Sequence, residues 1–267
     1  MNNLKKVGLT ALGTALVTSS AVAGSLDVTG TAGITYVGNS GAGIQNGASK
    51  FTQKSTISFT GSADLDNGFT VSYYNNVAGA AMTNANAHFD VDMGDAGTLG
   101  MSNSGAVGGM IAYQSVIPHS GEQVWDDMNN NDNGITSWNN VSDTNLIYYT
   151  NSIGDIGLNL AYNNRGKNGS SDHHGVATYS GVDGLTLGAG MGTQSGNTDT
   201  DMTTLFAKYT MGSITAGVTL SESNNVRSAT AADTNAGARE VEAYGISMAV
   251  NENLSVSYNE HNTTFRK

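Results

Sequence analysis

The chain has 267 residues, with 35 glycines, one proline, no cysteine, and 11 basic against 22 acidic residues for a net charge of −11. That acidic balance argues against a nucleic-acid partner, which needs basic stripes. The missing cysteines exclude a disulfide scaffold. Regular apolar alternation through most of the chain argues against the disorder that its Gly/Asn/Ser-rich composition would otherwise suggest.

Residues 1–23 open on Lys5-Lys6, run through a small-residue apolar stretch and close on Ala21-Val22-Ala23. This is the layout of a secretory signal peptide with an Ala-x-Ala cleavage site. A membrane-anchoring helix would need a longer and more strongly apolar run. Cleavage after Ala23 removes two lysines and no acid, leaving 9 basic against 22 acidic residues and a net charge of −13.

A lone strand follows, with Leu26, Val28, Ala32, Ile34 and Tyr36 on one parity and Asp27, Thr29, Thr31 and Thr35 on the other. After an Asn/Gly/Ser loop to about Lys50, six hairpins succeed one another. In the first, Ile57, Phe59 and Ala63 alternate with Ser58, Thr60 and Ser62, turn through Asp66-Asn67-Gly68, and return with Phe69, Val71 and Tyr73. The next four turn at Gly94-Asp95-Ala96-Gly97, Asn151-Ser152-Ile153-Gly154-Asp155, Gly181-Val182-Asp183-Gly184 and Gly212-Ser213, and the last at Asn251-Glu252-Asn253. One strand and six hairpins make thirteen strands.

Strands of about ten residues, apolar on one face and polar on the other, suit a tilted membrane strand with lipid outside and water inside. Connections between hairpins are expected to be long and polar, about ten to twenty residues, as at 163–173, 192–203 and 221–239. Short turns on one side and long loops on the other is the asymmetry of an outer-membrane barrel. Tyr36, Tyr73, Tyr162 and Tyr258 are expected near loop ends, and Tyr149, Tyr179 and Tyr209 near turn ends, as two aromatic belts. The connection at about 102–144 is far longer than the others and carries Pro118 and both tryptophans, Trp125 and Trp138.

The signal, the lone strand, the hairpin series and the segment Asn145-Leu146-Ile147-Tyr148-Tyr149-Thr150-Asn151-Ser152 together resemble the Gram-negative general (trimeric) porins. The resemblance implies an all-β transmembrane antiparallel barrel of sixteen strands in the outer membrane. It implies a homotrimer surrounded by outer-membrane lipid, passing small hydrophilic solutes and ions by passive diffusion. The long segment at 102–144 would be the family's third loop, which folds into the pore and narrows it.

Two features depart from the family. Thirteen strands is an odd number, and the chain reaches Lys267 without a terminal aromatic strand; Phe265 falls outside any alternating pattern. The sequence is therefore expected to be shortened by about three strands relative to the family, with a twelve- or fourteen-stranded barrel as the competing account.

Strand parity assigns lumen-facing positions: Thr56, Ser58, Thr60, Ser62, Thr70, Ser72, Asn159 and Asn163. The basic residues Lys54, Arg165, Lys208 and Arg239 share that parity. In the family's design, loop acids face basic wall residues across the constriction and set ion preference. Glu122, Asp126 and Asp127 are the candidates for the loop side, with Asp132 nearby, and they point to cation preference.

The run Asp127–Asp132 superficially suggests a calcium loop, but its glycine is misplaced and no glutamate follows at the required spacing. His88, His119, His173, His174 and His261 are dispersed, and no nucleophile, histidine and acid stand together in sequence. No enzyme and no cofactor is expected. A surface structural or adhesive barrel without an open channel is the alternative reading. A β-helical adhesin would show repeats of regular length, which the connections lack.

Overall fold

An extended chain with apolar residues at every second position must bury one face against something other than water. Among the described residues thirteen such strands join edge to edge. A computed structural model describes residues 26–37, 50–79, 82–105, 107–120, 144–164, 171–195, 199–226 and 237–266. The strands are β1 (Leu26–Val37), β2 (Lys50–Asp64), β3 (Thr70–Ala78), β4 (Thr83–Asp92), β5 (Thr98–Ser104), β6 (Leu146–Ile153) and β7 (Ile156–Asn164). They continue as β8 (Ser171–Val182), β9 (Leu185–Ser195), β10 (Thr200–Met211), β11 (Ile214–Val226), β12 (Gly237–Asn251) and β13 (Leu254–Arg266). They form one sheet in sequence order, each antiparallel to the next. The fold is all-β, and no helix among the described residues is long and apolar enough to cross a membrane.

The two faces differ sharply. On β10, Leu205, Tyr209 and Met211 are exposed, whereas Met202, Thr204 and Phe206 are buried. The same exposed parity carries Leu158, Leu160 and Tyr162 on β7, Ile246 and Met248 on β12, and Leu254, Val256 and Tyr258 on β13. An apolar surface of this extent belongs against lipid rather than water.

Tyrosines mark one edge of that band. Tyr73, Tyr244 and Tyr258 are each followed, two residues towards the loop side, by a polar residue on the same face: Asn75, Glu242 and Glu260. At the opposite edge, Tyr179 and Tyr209 lie close to the turns after β8 and β10.

Several connections differ from expectation. Pairing continues past the apolar band, so β7 runs to Asn164, β9 to Ser195, β11 to Val226, and β8 begins at Ser171. The loops expected at 163–173, 192–203 and 221–239 are correspondingly shorter. The connection between β3 and β4 occupies only 79–82. Phe265 lies within β13, opposite Arg239, and not in a loop. The reason is common to all: apolar alternation ends where lipid ends, but backbone hydrogen bonding does not, and polar side chains on both faces carry the ladder on into water.

Candidate functional site

The long connection after β5 returns across the sheet's inner face. Residues 107–120 form a strap that crosses the wall strand by strand. It starts with a short 3-10 turn at Gly109–Tyr113. The Gly109 amide donates to Asn159 Oδ1 on β7 at 2.6 Å, and the Met110 amide to His174 Nδ1 on β8 at 2.9 Å. Tyr113 stacks on Phe206 of β10, ring centroids 5.3 Å apart and 26° from parallel.

Further along, Pro118 sits over Gly217 of β11 and Ile117 over Gly245 of β12. The Ser120 amide reaches Ser257 Oγ on β13 at 2.9 Å. In the orientation its neighbours require, the Asn259 carboxamide donates to the Pro118 carbonyl.

Small wall residues let the strap approach. A Cβ on Gly217 would lie 2.8 Å from Pro118 Cδ, and one on Gly245 would meet the Asn259 carboxamide of β13 first and then Ile117 Cγ2 at 2.7 Å. Gly109 itself has φ of +58°, a left-handed conformation that glycine adopts without strain. Apolar packing seals the contact: Met110, Ile111 and Val116 of the strap cluster with Leu146, Tyr148, Ala161, Val176, Met202 and Phe206 of the wall. The only sizeable core among the described residues therefore lies inside the sheet's concave face, beneath the strap.

This changes the reading of two predicted lumen residues. Asn159 and Asn163 have inner-face parity, but they are 7% and 0% exposed. Asn159 accepts from the strap and Asn163 donates to the Thr144 carbonyl, so both anchor the chain ends of the loop instead of wetting the lumen. Unpaired amides at such depth would be costly, and the Gly109 amide and the Thr144 carbonyl each pair one end of these two carboxamides.

His174 was missed as a functional position, because in sequence it is half of an adjacent pair. Parity separates the two: His173 is exposed on the outer face and His174 is buried on the inner one.

Beside the strap, the inner faces of β2 to β6 carry a polar chain. Ser58 Oγ lies 3.3 Å from Tyr74 OH, and Tyr74 stacks on His88 at 5.0 Å. His88 Nε2 lies 3.5 Å from Asp90 Oδ2, and Tyr148 OH donates to Asp90 Oδ1. Nearer the turns, Asp64 and Asp92 flank Thr70 on adjacent strands, exposed on the same face. Thr70 Oγ1 donates to Asp64 Oδ1 at 2.8 Å, and the Gly94 amide to Asp92 Oδ1 at 2.9 Å.

The predicted basic residues are dispersed. Lys208 is exposed on inner-face parity in β10, opposite Thr186 and Gly217. Arg239 shares that parity in β12 but is buried, opposite Ser223 and Phe265. Lys54 lies in β2 opposite Gly33, with its side chain outside the described set. Arg165, Glu122, Asp126, Asp127, Asp132 and both tryptophans lie outside the described residues. Among the described residues, no three of His, Asp and Glu are grouped as metal ligands would be.

An inner face with a wall-hugging strap and an outer apolar band is the arrangement of a pore in a membrane. Comparison with known proteins agrees. No curated protein sequence matches the chain. Among solved structures, it resembles the anion-selective porin from Comamonas acidovorans with a TM-score of 0.59 and 18% identity, over 90% of this chain and 80% of that one. It resembles Salmonella typhi OmpF, solved in complex with daunomycin, with a TM-score of 0.63 and 16% identity, over 88% and 78%. OmpT, an outer membrane protein of Vibrio cholerae in its trimer form, gives a TM-score of 0.59 and 11% identity, over 90% and 79%. Identities this low show the shared fold. The model of the Gram-negative porins matches residues 8–266, nearly the whole length, and the chain belongs to that family of outer-membrane channel proteins.

Proposed function

We propose that this porin forms a water-filled, non-enzymatic channel for passive diffusion of small hydrophilic solutes and ions, and that it prefers cations. The observation that carries the reading is the strap. It lies along the inner face of the wall from β7 to β13, tied to Asn159 and Ser257 by its amides, and this is the position of a segment that narrows a lumen. Residues 1–23 act as the signal that exports the chain. It works as a homotrimer embedded in outer-membrane lipid, as the trimer form of one structural relative supports. Nucleic acid has no part in it.

Selectivity is a matter of side chains, since an anion-selective porin shares this fold. Cation preference rests on the acidic balance and on Asp64 and Asp92, exposed on the inner face near the turns. In this reading Glu122, Asp126 and Asp127 of the long connection supply the acidic side of the constriction, against basic wall residues of which Lys208 is exposed on the inner face. The resulting transverse field orients polar solutes.

Reversal potentials across planar bilayers under a salt gradient test this. Cation preference that weakens when Glu122, Asp126 and Asp127 are neutralised supports it. Anion preference, or indifference to all three, overturns it. Swelling of liposomes in small sugars tests the channel itself, because a plugged barrel passes none.

A further inference from the structure

Below the strap, on the side of the short turns, the inner wall opens into a recess of about 460 Å³. Its walls are Thr98, Thr150, Ser152, Asn159 and Thr178, and Tyr113 of the strap borders it. Three adjoining strands supply the row Thr98, Thr150 and Asn159 in direct register, and Ser152 and Thr178 each pair with Gly157 in the next row. The volume falls within the ~300–1,000 Å³ of small-molecule sites.

The lining chemistry selects a class of occupant. Threonine and serine hydroxyls each donate and accept, which matches a solute whose own hydroxyls do both. Among the described residues no basic side chain borders the recess, and none there offers a phosphate or carboxylate a counter-charge. Among the described residues one carboxylate lies on its rim, that of Asp95 in the turn between β4 and β5, and it adds a further acceptor for hydroxyls. A simple cation finds one charged ligand and no cage.

The aromatic border is held in place before any solute arrives. Tyr113 stacks on Phe206, and Phe206 fills the space over Gly188, where any Cβ would collide with its ring. Asn159 is oriented in turn by the Gly109 amide, which fixes the oxygen end of the carboxamide towards the strap. Groups held this way bind with less ordering cost than free ones.

We propose that this recess is a binding subsite for a neutral polyhydroxylated solute of mono- to disaccharide size, packed against Tyr113 and hydrogen-bonded to the hydroxyl rows of β5 to β8. The proposal rests on the channel reading and names the solute class of that channel. It makes the passage between strap and turn-side mouth a place where sugars pause and not merely a sieve.

Maltose is the probe, with gluconate and glucosamine as charged controls of similar chemistry. In single-channel recordings of the assembled protein, maltose is expected to raise current noise and to block in a saturable way, more strongly from the turn side, with weaker effects of the two charged sugars. Tyr113→Leu is expected to weaken maltose binding about three- to tenfold, while Tyr113→Phe keeps the ring and stays close to the wild type. The double substitution Thr150→Val and Thr178→Val removes hydroxyls at nearly constant volume and is expected to weaken it as well.

Saturation-transfer NMR with maltose on the detergent-solubilised protein reads binding without conduction. Conductance with neither maltose block nor transferred signal overturns the subsite and leaves the channel standing. A transferred signal that Tyr113→Leu reduces, in a protein that conducts nothing, overturns the channel and keeps the site. Block indifferent to both Tyr113→Leu and the threonine pair overturns the assignment to this recess.

Discussion

The backbone amide of Met110 donates to Nδ1 of His174 across 2.9 Å, joining residues 64 apart in the chain. Both are buried, Met110 at 0% and His174 at 4% exposure. One side-chain nitrogen on β8 thus fixes where the strap meets the wall. His174→Leu keeps the space filled but leaves the Met110 amide without its acceptor, an unsatisfied buried donor worth about 1–3 kcal/mol. Amide hydrogen exchange at residues 109–113 is expected to speed up about tenfold or more, while the ladder of β8 with β9 stays protected. Unchanged exchange at Met110 would show that the hydrogen bond does not hold the strap.

Glycines under the strap set its height. Gly217→Val places side-chain atoms where Pro118 now lies, 2.8 Å from the first added carbon, and Gly245→Val does so against both Ile117, at 2.7 Å, and the Asn259 carboxamide that holds the Pro118 carbonyl. Overpacking of this kind costs about 1–3 kcal/mol, or moves the strap away from the wall. Gly33→Val on β1 is the control, since nothing lies within 4 Å of its added carbon. Denaturant titration of the folded protein in lipid vesicles should lower the midpoint for the first two and leave the control unchanged. Equal effects at all three positions would mean that the strap is not what these glycines accommodate.

Much of this architecture was legible in the sequence, and the parts that were not have one physical origin. Thirteen strands and their turns follow from alternation, because one face meets lipid and the other does not. The glue beneath the strap breaks that rule. Leu146, Tyr148, Val176, Met202 and Phe206 are apolar on the inner parity, so in runs such as Leu146-Ile147-Tyr148-Tyr149 alternation vanishes. Strand ends were misjudged for the opposite reason: polar residues on both faces of Thr193–Gln194 and Ser221–Ser223 look like loop, yet they pair with β10 in register. His174 and Asn159 gave no signal in sequence, since their partners are backbone amides fifty or more residues away.

The outer band makes a depth-dependent prediction. Leu205 and Thr203 are two residues apart on the same exposed face of β10, one within the apolar band and the other beyond it. Leu205→Arg is expected to destabilise folding into lipid vesicles by about 2–4 kcal/mol, and Thr203→Arg by about 0–1 kcal/mol, because the cost of a lipid-facing charge falls towards the interface. Urea unfolding from vesicles measures both. A penalty for Thr203→Arg as large as that for Leu205→Arg would place the edge of the hydrocarbon nearer the loops than the tyrosines indicate.

Asp64 and Asp92 give the wall its own lever on selectivity. They flank Thr70 on neighbouring strands, exposed on the inner face near the turns, and Lys208 shares that face on β10. Fixed carboxylates beside an aqueous path raise the local concentration of cations and lower that of anions. Asp64→Asn with Asp92→Asn should therefore shift the reversal potential towards anions, and Lys208→Ala should shift it towards cations. Both shifts should shrink as salt rises, because the screening length falls from about 10 Å at 0.1 M to about 3 Å at 1 M. A shift that survives at 1 M salt would mean that the substitutions act by reshaping the lumen, and no shift at 0.1 M would remove these residues from the selectivity of the pore.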